Sequence, residues 1–247
     1  MLLQGCSAAR IAQDVRSGGF CLSCERGRYT ASMTMARPQS LLIPANEYRR
    51  VRWKNGAGWT REICACRMDG REGIDATAWD FRLSIAEIEA DAPFSSFPGI
   101  DRELVLLSGN GLSLQFDDGD AVTLLPPHDR ARFAGERGVA GRLVDGRTED
   151  FNLMWRREAV QATLWHRPLV GAMVVFVDAG DCWAVHLVGG QARIDGERFS
   201  AALEQGDTAL LQAEAGRTRH VIEGGGELLL VRIQPSALDD AANPSFG

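Results

Sequence analysis

The sequence predicts an all-β chain made of two small jelly-roll units, and three observations carry that expectation. Apolar and polar residues alternate in short runs bounded by Gly, Pro and Asp clusters. No segment sustains a 3.6-residue apolar period, so helices should be short and few. One plan of strand, glycine turn, strand, Gly-Asp and strand occurs twice, and 247 residues are enough for two modest cores.

Taken in order, residues 1–35 read as a disordered N-terminal extension, because Gly, Ser and Arg recur there without periodicity. Leu3-Gln4-Gly5-Cys6 imitates a lipoprotein cleavage box, yet no basic segment and apolar run precede the cysteine as export would require. Strands are then expected at Tyr48–Lys54, Trp59–Cys66, Ala78–Ile88, Arg102–Leu107, Gly111–Phe116, Ala121–Leu125, Phe151–Arg156 and Gln161–Trp165. A second series is expected at Met173–Asp178, Cys182–Val188, Gln191–Ile194, Thr208–Gln212, Arg219–Glu223 and Glu227–Ile233, with Gly224-Gly225-Gly226 as a hairpin turn. The domains that follow are 36–165, carrying the ligand pocket, and 166–236, with a flexible tail at 237–247.

The repeated plan is explicit in Leu106-Leu107-Ser108-Gly109-Asn110-Gly111-Leu112-Ser113-Leu114 followed by Gly119-Asp120. It returns in Val185-His186-Leu187-Val188-Gly189-Gly190-Gln191-Ala192 followed by Gly206-Asp207. A cupin's double-stranded β-helix is written this way, and two copies in one chain make a bicupin.

Charge and composition exclude several classes. A net charge of -6 repels phosphate backbones, so nucleic acid is not an expected partner. No apolar run approaches the roughly 20 residues of a spanning helix, so no membrane partner is expected either. The six cysteines read as reduced, since a chain of this size needs no disulfides; a cytoplasmic location and, for Cys21-x-x-Cys24, incidental spacing follow. A homodimer is compatible with the sequence.

The four histidines, His128, His166, His186 and His220, are far apart in sequence, and no His-x-His precedes Leu104. No metal and no other cofactor is therefore expected. His128, after Pro126-Pro127, reads as an exposed loop residue, and His186 and His220 as core histidines. No serine sits in a Gly-x-Ser-x-Gly elbow, so a hydrolase triad has no support.

Four strings are distinctive: Trp53-Lys54-Asn55-Gly56-Ala57-Gly58-Trp59-Thr60-Arg61-Glu62; Trp79-Asp80-Phe81-Arg82-Leu83-Ser84-Ile85-Ala86; Phe94-Ser95-Ser96-Phe97-Pro98-Gly99-Ile100-Asp101-Arg102; and Asp150-Phe151-Asn152-Leu153-Met154. In this order they resemble the HutD/Ves family, over about residues 41–234. The resemblance implies a single-chain bicupin without the cupin metal triad, linked in bacteria to the regulation of histidine utilisation. The extension before Met33 is not part of that pattern.

Strand alternation turns these strings into a pocket. Thr60 and Glu62 share one face; Arg82 and Ser84 oppose Phe81, Leu83 and Ile85; Asn152 and Met154 oppose Phe151 and Leu153. The expected ligand-binding set is Lys54, Asn55, Thr60, Glu62, Arg82, Ser84, Arg102, Asn152 and Met154, with Arg82 and Arg102 gripping the carboxylate of a small metabolite of histidine degradation. Lys54 is the one lysine beside 26 arginines. Two alternatives share the chain: a metal-independent isomerase or hydrolase with Glu62 as general base and Lys54 as acid, and a protein-binding regulator whose cup is vestigial.

Overall fold

Alternation within each strand decides what that strand packs against, and several strands pack on both faces. The computed structural model describes residues 40–68 and 79–236; the N-terminal extension, Cys6, Cys21, Cys24, Ala78 and the 237–247 tail lie outside the described residues. In chain order the strands are β1 (Leu41–Ile43), β2 (Arg49–Arg52), β3 (Gly58–Cys66), β4 (Phe81–Ile88), β5 (Ala92–Pro93), β6 (Ile100–Ser108), β7 (Leu112–Phe116) and β8 (Ala121–Leu124). They continue as β9 (Arg130–Ala134), β10 (Val139–Leu143), β11 (Thr148–Arg156), β12 (Val160–Asp178), β13 (Cys182–Gly196), β14 (Ser200–Leu203), β15 (Thr208–Gln212) and β16 (Arg217–Pro235). Among the described residues the one helical element is a 3-10 turn at Ala45–Glu47, as the missing helical period requires.

Three sheets result. A central sheet runs β2-β3-β4-β11-β6-β9, a smaller cover sheet runs β5-β10-β7-β8, and a distal sheet runs β1-β15-β13-β16-β12 with β14 on β13. One face of the central sheet, through Phe81, Leu83, Phe151 and Leu153, packs on Ala184, Leu210 and Val231 of the distal sheet. Its other face, through Ile88, Leu104 and Leu106, meets Leu112, Leu114 and Leu124 of the cover sheet. The architecture is all-β and cupin-type.

The strand pattern departs from the expected one at the glycines. The segments around Gly171, Gly189-Gly190 and Gly224–Gly226 were expected as breaks or turns, yet β12, β13 and β16 run through them as strands of 19, 15 and 19 residues. Gly224-Gly225-Gly226 is thus no hairpin turn: it pairs with Leu169, Val170 and Gly171 on one side and Gly190, Gln191 and Ala192 on the other. A side chain at Gly224 or Gly226 would collide with the carbonyl oxygens of Gln191 and Gly189, and both residues have positive φ, 150° and 137°. Glycine here lets strands bend at close backbone approach, a job that looks like a turn in sequence. The expected domain boundary at 165/166 falls within β12. Strands β9 and β10 were not expected, because Arg130–Ala134 is a polar edge and Val139–Leu143 is short and interrupted by Gly141.

Leu153 is fully buried in the core shared by the central and distal sheets. Leu153→Ala should cost about 2–5 kcal/mol in urea unfolding. Because that core joins both sheets, tryptophan fluorescence and far-UV circular dichroism should report one coincident transition; two separate transitions would show that the sheets unfold independently.

Candidate functional site

The second face of β4, β11 and β6 is where the polar residues of the distinctive strings meet. Antiparallel pairing puts Met154 between Arg82 and Arg102, Asn152 between Ser84 and Leu104, and Asp150 between Ala86 and Leu106. Strand β3 extends the face, with Glu62 opposite Ser84 and Thr60 opposite Ala86. Ser84, Arg102, Asp150, Asn152 and Met154 are all buried.

Arg102 is the centre of this arrangement. It is 5% exposed and makes no salt bridge among the described residues. Its guanidinium carbon instead lies 5.3 Å from the ring centre of Phe94, 5.7 Å from Phe97 and 5.2 Å from Phe133. Aromatic rings attract a cation but accept no conventional hydrogen bond, and the buried Nε has no hydrogen-bond partner among the described residues. Burial pulls the Arg102 pKa down to about 10, against the opposing attraction of Asp150. On the same face, both carboxylate oxygens of Asp150 and Oδ1 of Asn152 also have no partner among the described residues. Burial pushes the Asp150 carboxyl up to about 7, with Arg102 pulling the other way. A buried donor and buried acceptors left unpaired on one face are costly, and a polar ligand reaching them would relieve that cost.

Two of the three rings, Phe94 and Phe97, belong to the Phe94–Arg102 string, and Phe133 lies in β9. Phe94 N–H donates to Val139 O at 2.8 Å and Phe97 N–H to Gly135 O at 2.7 Å, tying the segment to the β9–β10 connection. A side chain at Gly141 would approach the Phe94 ring to 2.8 Å, so this glycine leaves the space in which the ring lies over the face.

The remaining expected residues are engaged differently. Glu62 accepts Arg82 Nε–H at 2.8 Å and Arg49 Nη2–H at 2.9 Å, so Arg82 is already neutralised within the protein. Met154 lies beside it, its Sδ 4.0 Å from Arg82 Nη1. Thr60 Oγ1 accepts the indole N–H of Trp53 at 2.9 Å. Lys54 and Asn55 do not reach the face: both are exposed in the β2–β3 turn, where Asn55 Oδ1 accepts the backbone N–H of Ala57. The acid–base pairing of Lys54 with Glu62 therefore finds no geometric support. Asp150, Phe94, Phe97 and Phe133, which surround Arg102, were not among the expected residues. Alternation with Asn152 and Met154 was a signal for Asp150; nothing local pointed to the aromatics.

The histidines divide. His186 is a core residue, its Nδ1 2.9 Å from Thr208 Oγ1 and its pKa pulled down to about 3 by burial. His220 is buried as expected. His128 is not an exposed loop residue: its side chain is 12% exposed and packs on His166, with ring centres 4.5 Å apart.

The HutD family model matches residues 45–230. A Pseudomonas putida protein described as an uncharacterized 21.2 kDa protein in the hutC 3' region is 40% identical over 126 residues, 51% of this chain and 63% of that protein. Protein Ves of Cronobacter sakazakii is 40% identical over 111 residues, 44% of this chain and 57% of its own. The matched part thus spans less than two thirds of either relative's length. Among solved structures, HutD from Pseudomonas fluorescens SBW25, in a formate condition, superposes with a TM-score of 0.68 at 28% identity, covering 81% of this chain and all of the other.

The Asp150 environment has a pH signature. The folded chain holds the carboxyl proton up to about pH 7, whereas an unfolded aspartate releases it near pH 4. In between, the folded state binds the extra proton, so this group's contribution to stability falls as pH rises and levels off above about 7. Relative to Asp150→Asn, which cannot titrate, the wild type should lose on the order of a few kcal/mol between pH 4 and 8, whatever the constant offset. Parallel stability curves in urea would mean that Asp150 is charged in the folded protein.

Proposed function

The chain belongs to the HutD family, and from that membership and the face around Arg102 we propose that it is a bicupin whose N-terminal unit binds a small carboxylated metabolite and thereby modulates histidine utilisation. The observation that carries this reading is the buried, unpaired set of Arg102 Nε, Asp150 and Asn152 on one face. Arg102 supplies the bidentate donor that a carboxylate fits. Protonated Asp150 supplies an O–H donor to the same anion, and Ser84 and Asn152 fix its orientation. Met154 and the three phenylalanines exclude water, which strengthens the charge-assisted contacts. The Arg82–Glu62–Arg49 cluster is the wall of the cup in this reading, with Thr60 at its edge. No described histidine lies on this face, so binding here needs no metal.

In this reading the metabolite is an intermediate of histidine breakdown carrying a carboxylate, a class supported by family membership and by the relative from the hutC 3' region. The structure of Pseudomonas fluorescens HutD was obtained in a formate condition, and formate is the smallest such anion and a natural first probe.

A thermal-shift panel of formate, histidine, urocanate and N-formylglutamate, each at millimolar concentration, tests the proposal. At least one carboxylate should raise the melting temperature, since a ligand at about 100 times its Kd adds about 2.7 kcal/mol. Arg102→Ala should weaken that ligand about tenfold to hundredfold. Affinity should fall as pH rises above about 7, where Asp150 loses its proton, and Asp150→Asn should flatten that dependence. No shift from any panel member, or wild-type affinity in Arg102→Ala, would overturn the assignment.

A further inference from the structure

We propose that His128, His166 and Glu227 bind one divalent transition-metal ion, of the zinc or cobalt(II) class, at a site that shares no residue with the Arg102 cup. The strand register builds two thirds of it. In the β12–β16 ladder His166 pairs with Leu229 and Pro168 with Glu227, so His166 and Glu227 are diagonal neighbours on one face. The third group comes from far along the chain, out of the β8–β9 connection, where His128 adopts a positive φ of 59°. That conformation is uncommon for a residue with a side chain, and here it aims the imidazole at the other two groups.

The hydrogen bonds then specify what lies between them. His128 Nδ1 is 3.1 Å from the carbonyl oxygen of Leu106. A carbonyl only accepts, so Nδ1 carries the proton, and in a neutral ring Nε2 presents its lone pair. That lone pair faces Glu227 Oε2 at 2.6 Å, and His166 Nε2 faces the same oxygen at 3.2 Å. Between His128 Nε2 and Glu227 Oε2 a proton or a metal ion must sit, and His166 Nε2 meets the same oxygen as an N–H donor in one tautomer and with its lone pair in the other; the three ligand atoms lie within 4.8 Å of one another, so one metal ion can take all of them. Two imidazoles and a carboxylate are a borderline-soft set suited to zinc, with one ring oriented by a backbone carbonyl as metal-bound histidines commonly are.

Three protein ligands leave a coordination position free, and the site opens onto a cleft of about 580 Å³. Arg130 and Arg167 line that cleft, so an anion or a water could complete the coordination there.

The test uses full-length protein without an affinity tag, stripped with chelator and titrated calorimetrically with zinc chloride, then with cobalt(II) followed by visible absorption. Wild type should bind one equivalent of zinc with a Kd of micromolar or tighter and develop cobalt d–d bands. His166→Ala and Glu227→Gln alter partly exposed side chains, so the fold should persist, and each should weaken zinc at least tenfold and remove those bands. Cys6, Cys21 and Cys24 remain in both variants, so zinc held by them would survive the substitutions and count against the proposal. Absence of saturable binding in wild type would also overturn it, as would nitrogen-detected NMR showing His128 as an imidazolium at pH 7 with zinc present.

Discussion

Strand β11 is buried on both faces, and most of what distinguishes this protein follows from that constraint. Phe151, Leu153 and Trp155 face the core shared with the distal sheet, while Asp150, Asn152 and Met154 lie on the opposite face, where they are buried too. In an ordinary antiparallel sheet the second set would be solvated and would cost nothing. Here the cover sheet and the Phe94–Arg102 segment close over them, so each polar atom must find a partner or remain a liability.

The protein satisfies some of these groups and leaves others unpaired. Glu62 and Arg82 neutralise each other, and Thr60 caps the Trp53 indole. Arg102, Asp150 and Asn152 retain unpaired atoms, and the aromatic rings over Arg102 stabilise its charge without satisfying its donors. Folding stability alone would be better served by apolar residues at these places. In the proposed function these unpaired groups are the ones an anion would complete.

The distal sheet solves a different problem. Its long strands must turn corners without ending, and the glycines at 171, 190, 224 and 226, all at positive φ, let β12, β13 and β16 do so. The bend has a chemical consequence, because Glu227 directly follows the glycine run and lies on the same face as His166. A backbone device thus sets the position of a carboxylate, and the β8–β9 connection brings His128 to it.

Sequence alone determined the fold class and one face of the central sheet. Alternation is a local property of extended backbone, so Arg82, Ser84, Asn152 and Met154 could be placed on a common side of their strands without knowing their neighbours. The distinctive strings were enough to indicate the family. Tertiary structure decided everything that depends on closure or on distant pairing. It buried Arg102 under three phenylalanines, kept Lys54 and Asn55 outside on a turn, and showed that apparent glycine turns are bends within strands. It also joined His128 to His166 and Glu227 across 38 and 99 positions. No local pattern encodes such a meeting, because strand register and loop conformation bring those three side chains together only when the whole chain has folded.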